Sequence, residues 1–198
     1  MRVLAAHIIF TAYGFWLPND PRGSWSEWVA SWELLKYGKA TKVDHNRSVA
    51  HVKHDAQLRR AAKKALKYTP VLFTGLQARA IASGFSRAAH EGGYPVHACS
   101  ILPDHVHLVV GDHDRKFQQI TAHLKARASQ QLRAENLHPF LEHERADGSL
   151  PSVWAEGLWK VFCYDLDHLG NAIRYVEDNP LRERKRRQNW SFVTPFAR

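Results

Sequence analysis

Apolar positions along this chain alternate between two periods, and the switches mark its elements. Residues 3–12 are rich in aliphatic residues, with His7 and Thr11 on one face, which predicts a strand. "GFWLPNDPRG" breaks it with two prolines and two glycines. "SWSEWVASWELLKYG" predicts a helix: Ser24 and Glu27 have capping-box spacing, and Gly38 suits the stop. Its stripe of Trp25, Trp28, Trp32 and Leu35 reads as a packing face, with base stacking as the alternative. Residues 39–54 are polar; His45, His51 and His54 have no cysteine or carboxylate at ligand spacing, so a solvated loop is expected. Residues 55–68 predict a helix with Leu58, Ala62 and Leu66 on one side. Arg59, Arg60, Lys63, Lys64 and Lys67 cover much of the rest, a solvated face that also suits phosphate. Thr74 is placed to cap a helix through about residue 90, with Leu76, Ala80, Ile81 and Phe85 inward. "YPVHACSIL", a turn at Pro103-Asp104 and "HVHLVVG" then read as a hairpin.

The second half follows the same rules. Residues 115–136 predict a helix through Ile120, Leu124, Ala128 and Leu132. "LHPFLEHERADGSLPS" is loop-like, and "VWAEGLWKVFCY" is either a strand or irregular. A last helix is expected over 166–178, stopped by Asn179-Pro180, with a core stripe of Leu166, Leu169, Ile173 and Val176. No internal repeat or low-complexity run interrupts this order. The element order implies an α+β fold: an antiparallel sheet with helices packed on it.

Composition narrows the partners. A chain of 198 residues suits one domain and is long enough to bury a core without a metal or disulfides. Twenty-eight Lys and Arg against 19 Asp and Glu give a formal charge of +9, which favours a polyanion, nucleic acid being the commonest. Cys99 and Cys163 form no CxxC pair, so a reduced, cytoplasmic setting is expected. The apolar N-terminus contains His7, Thr11 and Tyr13 and reads as a strand rather than a signal peptide; no run is long enough to predict a membrane span.

Two imidazoles interrupt the otherwise apolar "ILPDHVHLVV". Strand alternation points His105 and His107 the same way, about 7 Å apart at the α-carbons. Such a pair either grips one cation or forms two satisfied histidines of a hairpin. Further partners would come from the last helix, where His168, Ala172, Tyr175 and Asn179 run beside the core stripe. Tyr175 and Asn179 are four apart and share a face. A phenol can attack phosphorus, and an amide oxygen can ligate a metal. Read singly, Tyr175 is a half-buried core residue and Asn179 a helix cap.

Read together, "LPDHVHLVV" and, about seventy residues later, "IRYVEDNPLR" resemble the single-tyrosine HUH transposases, and among them the bacterial REP-associated tyrosine transposases. That family's pattern is Pro-Asn-His-Val-His followed by a helix with Tyr-Ile-x-x-Asn-Pro; Asp104 and Val176 are this chain's departures from it. The likeness spans the first strand and roughly residues 70–182, so residues 14–68 read as an insertion in a single domain of 1–182, with a basic tail at 183–198. The resemblance implies a ferredoxin-like sheet with the HUH motif on a central strand and the catalytic tyrosine on a C-terminal helix. It implies His105, His107 and Asn179 as ligands of Mg²⁺ or Mn²⁺ and Tyr175 as nucleophile. Two imidazoles by softness alone would suit Zn²⁺ or Mn²⁺ better than Mg²⁺.

The implied activity is cleavage and rejoining of single-stranded DNA at repeat hairpins through a 5′-phosphotyrosine, by a monomer or homodimer. His168 is a further candidate, to help remove the phenol proton. Arg174, Arg182, Arg184, Lys185, Arg186 and Arg187 would hold phosphates near the active site, and Arg59, Arg60, Lys63 and Lys64 the hairpin stem. The alternatives are a plain metal nuclease without a covalent intermediate, a domesticated hairpin-binding protein, and a basic RNA-binding protein with a structural metal.

Overall fold

The computed structural model describes residues 2–15, 17, 32–38 and 55–196. Strand β1 is Ala5–Thr11, β2 Val96–Ile101, β3 His105–Gly111 and β4 Trp159–Cys163. They form one sheet in the order β2-β3-β1-β4, and every pairing is antiparallel. Helices α3 (Gly75–Gly92) and α4 (Phe117–Ala134) connect β1 to β2 and β3 to β4. Helix α5 (Leu166–Arg182) follows β4. This is the βαββαβ order of a ferredoxin-like α+β fold with an added C-terminal helix. The motif strand β3 lies inside the sheet, between β2 and β1.

Alternation along the strands divides the sheet into two faces. Ala6, Ile8 and Phe10 of β1 and Val106, Leu108 and Val110 of β3 join Ile81, Phe85, Ile120, Leu124 and Leu132 in the larger core, which α3 and α4 close. Each such Leu, Ile or Phe stabilises the fold by about 1.5–3 kcal/mol. Thr74 and Gln77 form the capping box that starts α3, and Gly93, at φ 66°, ends it. Gly84 lets α3 approach α4, since a β-carbon there would stand 2.6 Å from the Ala128 α-carbon. The opposite face is covered by α5, whose Leu169, Ala172 and Val176 pack on Ala5, Ala98, Val109 and Cys163. Leu166, expected in that stripe, is exposed, and Ala172 takes the inward place.

The last helix does not stop at Asn179-Pro180 but runs through Pro180 to Arg182. Proline has no N–H to give to the carbonyl four residues earlier, that of Val176. The sheet supplies the missing donor: Ser100 Oγ of β2 donates to Val176 O at 2.5 Å. An orphaned carbonyl that would have favoured a break is thereby satisfied by tertiary structure.

Residues after α5 fold back along β2. Gln188 accepts from Ile101 N and donates to Ile101 O, both at 2.7 Å, and so imitates a neighbouring strand. Val193 bridges Val96, and Thr194 N donates to Val96 O at 2.8 Å. The polar stretch after Arg182 thus shields a sheet edge.

Helix α2 (Ala56–Lys64) begins at Asp55, whose carboxylate accepts from Gln57 N and Leu58 N. Of the Trp-rich helix, Trp32–Leu35 forms the short α1, and the chain turns at Gly38, φ 118°. Ser24, Trp25, Glu27, Trp28, His45, His51 and His54 lie outside the described residues. Among the described residues no helix is long and apolar enough to cross a membrane.

Because Ser100 replaces a donor that Pro180 lacks, Ser100→Ala is expected to lower unfolding free energy by about 1–3 kcal/mol in urea titrations. In a Pro180→Ala background the backbone N–H returns and the same change should cost much less. Equal costs in both backgrounds would remove this account of the helix extension.

Candidate active site

Sheet register collects the imidazoles. His105 lies opposite Thr11 and His107 opposite Ile9, while His7 lies one pleat further along the same face of β1. The His105 and His107 rings are 4.8 Å apart at their centroids. His7 Nε2 and His107 Nδ1 stand 3.0 Å apart, a buried hydrogen bond between neighbouring strands. His105 Nδ1 stands 2.7 Å from Asp104 Oδ1. A carboxylate only accepts, so His105 Nδ1 carries the proton and, in the neutral ring, Nε2 keeps its lone pair. Both motif histidines therefore have Nδ1 engaged by a second residue, leaving Nε2 to meet a ligand.

Electrostatics keep two of these rings uncharged. Burial pushes the pKa of His7 down to about 4, helped by the charge of His168. Burial likewise holds His107 well below the ordinary histidine value, with contributions from His105, His7 and Arg182. At neutral pH both are neutral and keep a lone pair, the form in which imidazole binds a metal.

Helix α5 places its tyrosine against this cluster. The Tyr175 ring lies 5.5 Å from the His7 ring and 5.6 Å from the His107 ring, centroid to centroid. The guanidinium of Arg182 lies over the Tyr175 ring, 4.4 Å from its centroid. Tyr175 remains 37% exposed, so its edge is open to solvent. Asn179, one turn further, is buried at 7% exposure. Phe15 and Trp159 border the cluster, with ring centroids 5.4 Å from His105 and 5.5 Å from His7.

The donor set fits a divalent cation. An imidazole nitrogen of His105 and a carboxylate oxygen from each of Asp104 and Glu183 lie within 4.8 Å of one another. Thr11 Oγ1, on the same face opposite His105, is buried and without a hydrogen-bond partner, so this spot has an unmet polar group. Mixed nitrogen and oxygen donors suit Mn²⁺ or Mg²⁺ better than imidazoles alone would.

The residues expected from the sequence are distributed unevenly. The His107 ring touches those of both His105 and Tyr175, and Asn179 follows Tyr175 on α5. Arg182 also reaches the tyrosine, whereas Arg174 is turned to Asn171, with a bond of 2.6 Å. Arg187 is paired with Asp178 and Lys185 with Glu183, while Arg184 and Arg186 are exposed. Arg60, Lys63 and Lys64 are exposed on α2 and Arg59 is half-buried there. That helix leads into Leu66, which touches Gly14 beyond the end of β1. His168 is half-buried and its charge acts on His7. Sequence reasoning gave no role to His7, Glu183 or Phe15. The one signal for His7 was its place with Thr11 on a strand face, and only the β1–β3 register turns that into a contact with His107.

No family model matches the sequence, and no curated protein does. Among solved structures, the chain is similar to a REP-associated tyrosine transposase bound to a REP hairpin, at 10% identity and a TM-score of 0.48, over 92% of this chain and 70% of that one. It is also similar to a protein of Deinococcus radiodurans R1 provisionally named a transposase, at 12% identity and a TM-score of 0.39, over 90% of this chain and 92% of that one.

The His7–His107 bond should be visible in stability without any metal. His7→Phe leaves a buried Nδ1 unpaired and is expected to cost about 1–3 kcal/mol in urea unfolding with chelator present. His7→Gln, which retains a polar amide, should recover part of this. A His7→Phe protein as stable as the wild type would mean that the contact carries no weight.

Proposed function

We propose that the protein cleaves and rejoins single-stranded DNA with Tyr175 as the nucleophile. The observation that carries this reading is the solvent-open Tyr175 ring set against two buried imidazoles, His7 and His107, at 5.5 and 5.6 Å. A merely structural tyrosine would not need neutral ring nitrogens beside it. The motif resemblance to single-tyrosine HUH transposases assigns the same residue to the same task.

The chain's own groups divide the work. Tyr175 Oη attacks the phosphorus, the bond from phosphorus to the 3′ oxygen breaks, and a 5′-phosphotyrosine and a free 3′-hydroxyl result. The phenol gives up its proton and the departing oxygen gains one. Arg182, whose guanidinium lies over the tyrosine ring, would hold a phosphate oxygen and offset its charge. His105, His107 and Asn179 would hold the cation, with Asp104 and His7 fixing the two imidazoles through Nδ1. A bound Mg²⁺ or Mn²⁺ would polarise the scissile phosphate. The phosphodiester bond energy is kept in the tyrosine link, so a 3′-hydroxyl can reverse the step without a nucleotide cofactor. The tyrosine packs against the histidines of its own chain, which supports a reaction in cis.

Hairpin DNA with a short single-stranded flank is the substrate class the motif resemblance implies. Arg59, Arg60, Lys63 and Lys64 on α2 would meet the stem, and the cations following Arg182 the flank. A polyanion also matches the formal charge of +9.

Incubation with Mn²⁺ and end-labelled hairpin DNA should give a covalent protein–DNA adduct on a denaturing gel. Tyr175→Phe and His105→Ala should each abolish it, and mixing those two variants should not restore it if the reaction is in cis. Cleavage that persists in Tyr175→Phe would favour the plain metal nuclease, and binding without cleavage by the wild type would favour the domesticated hairpin binder.

Binding has its own test. Changing Arg59, Arg60, Lys63 and Lys64 together to Ala should lower the slope of log affinity against log salt by about 3 to 4 for a duplex stem. An unchanged slope would remove α2 from the DNA interface.

A further inference from the structure

We propose that Glu183 is a direct, anionic ligand of the divalent cation held at the histidine pair, one turn of α5 beyond Asn179. This rests on the proposed reading of that site. The first ground is placement. Tyr175, Asn179 and Glu183 follow one another at four-residue intervals, and α5 continues through Pro180 to Arg182 with Glu183 as its cap. Had the helix ended at residue 178, this stripe would have stopped before Glu183. The Ser100 bond to Val176 O, which repairs the proline gap, therefore also delivers the carboxylate.

The second ground is distance. Carboxylate oxygens of Glu183 and Asp104 and a ring nitrogen of His105 lie within 4.8 Å of one another. Oxygen ligands of one Mn²⁺ or Mg²⁺ stand about 3 Å apart, so closure asks for a side-chain swing of no more than about 2 Å. Among the described residues, only a part-exposed pair with Lys185, at 3.1 Å, opposes that swing of Glu183, their side chains being 44% and 33% exposed. Asp104 has a different task, because its Oδ1 already holds His105 Nδ1 at 2.7 Å. The third ground is independent of the acids. Thr11 Oγ1 is 99% removed from solvent by its residue's 1% exposure, has no partner, and lies opposite His105 on the same face. A water held by a cation at this site would supply the missing partner.

Charge gives the reason for a carboxylate. Two imidazoles and an amide are neutral ligands, and they would leave a divalent ion's charge intact beside the Arg182 guanidinium. Glu183 reduces that charge by one and adds an oxygen donor. This turns a set whose imidazoles suit Zn²⁺ into one that favours Mn²⁺ or Mg²⁺.

The test is Mn²⁺ binding to the full chain without DNA, read as loss of the free-ion electron paramagnetic resonance signal. Wild type should bind one ion and His107→Ala should lose it. Glu183→Gln should weaken binding by about tenfold or more, of the order seen when a supporting carboxylate is removed from a metal site. The same variant should shift competition toward Zn²⁺, and Lys185→Ala should bind as tightly as wild type or tighter. Glu183 is at the surface, and circular dichroism of Glu183→Gln should match wild type. If His107→Ala loses the ion while Glu183→Gln binds within twofold of wild type, this inference is wrong and the histidine site stands. If His107→Ala also binds normally, or wild type binds none, both fall.

Discussion

The register of β1 on β3 is the constraint on which the rest of the molecule depends. With Ile9 opposite His107 and Thr11 opposite His105, the odd-numbered side chains of both strands share the α5 face. Slipping either strand by one residue would send its histidines into the face closed by α3 and α4. What prevents the slip is apolar: Ile8, Phe10, Val106, Leu108 and Val110 are fully buried on that other face. The polar cluster contributes little to choosing its own position. Burial that has no chemistry fixes where the chemistry lies, and the desolvation it brings keeps His7 and His107 neutral.

Helix α5 adds the second half of the arrangement through contacts of the same type. Leu169, Ala172 and Val176 seat it on Ala98, Val109 and Cys163, and that seating fixes its rotation. Tyr175 precedes an inward residue by one position, so it falls at the margin of the helix–sheet contact, touching the imidazoles and solvent together. A tyrosine one position later would have been buried in the contact, and one position earlier would have faced water. The Ser100 hydroxyl then couples the sheet to the helix at the one carbonyl that Pro180 leaves unpaired.

Much of this was legible in the amino-acid order, and the parts that were not share a cause. Strands β1, β2 and β3, the Thr74 cap, the α4 stripe and the shared face of His105 and His107 follow from periodicity and local capping, whereas the sequence around β4 leaves strand and irregular structure equally open. So does the neighbourhood of Tyr175 and Asn179 on one helix. The end of α5 was misread because Asn179-Pro180 is a strong local stop signal, and its reversal comes from Ser100, 76 positions away. His7 was passed over for a similar reason: its partner is 100 positions away and nothing in its own neighbourhood marks it. Glu183 falls at the start of the expected basic tail, and nothing in its own neighbourhood links it to Asp104 and His105. Leu166 shows the opposite error, an apolar residue at helical spacing that the first turn leaves in solvent.

The distribution of charge explains how a strongly basic chain can keep an uncharged centre. Among the described residues, exposed cations sit on α2, on the outer side of α5 and in the segment along β2, where water screens them. The Arg182 guanidinium lies against Tyr175 and contributes to lowering the pKa of His107. Like-signed neighbours oppose protonation of a buried imidazole, so the surrounding cations help burial to preserve the lone pairs. An approaching phosphodiester would be drawn by the outer charges and would lose water only on reaching the aromatic margin of Tyr175, Phe15 and Trp159. Beside the cation proposed there, it would meet the Arg182 guanidinium and two neutral imidazoles rather than a cluster of protonated histidines. Attraction at a distance and desolvation at the point of contact are therefore separate properties, supplied by different residues of the same small fold.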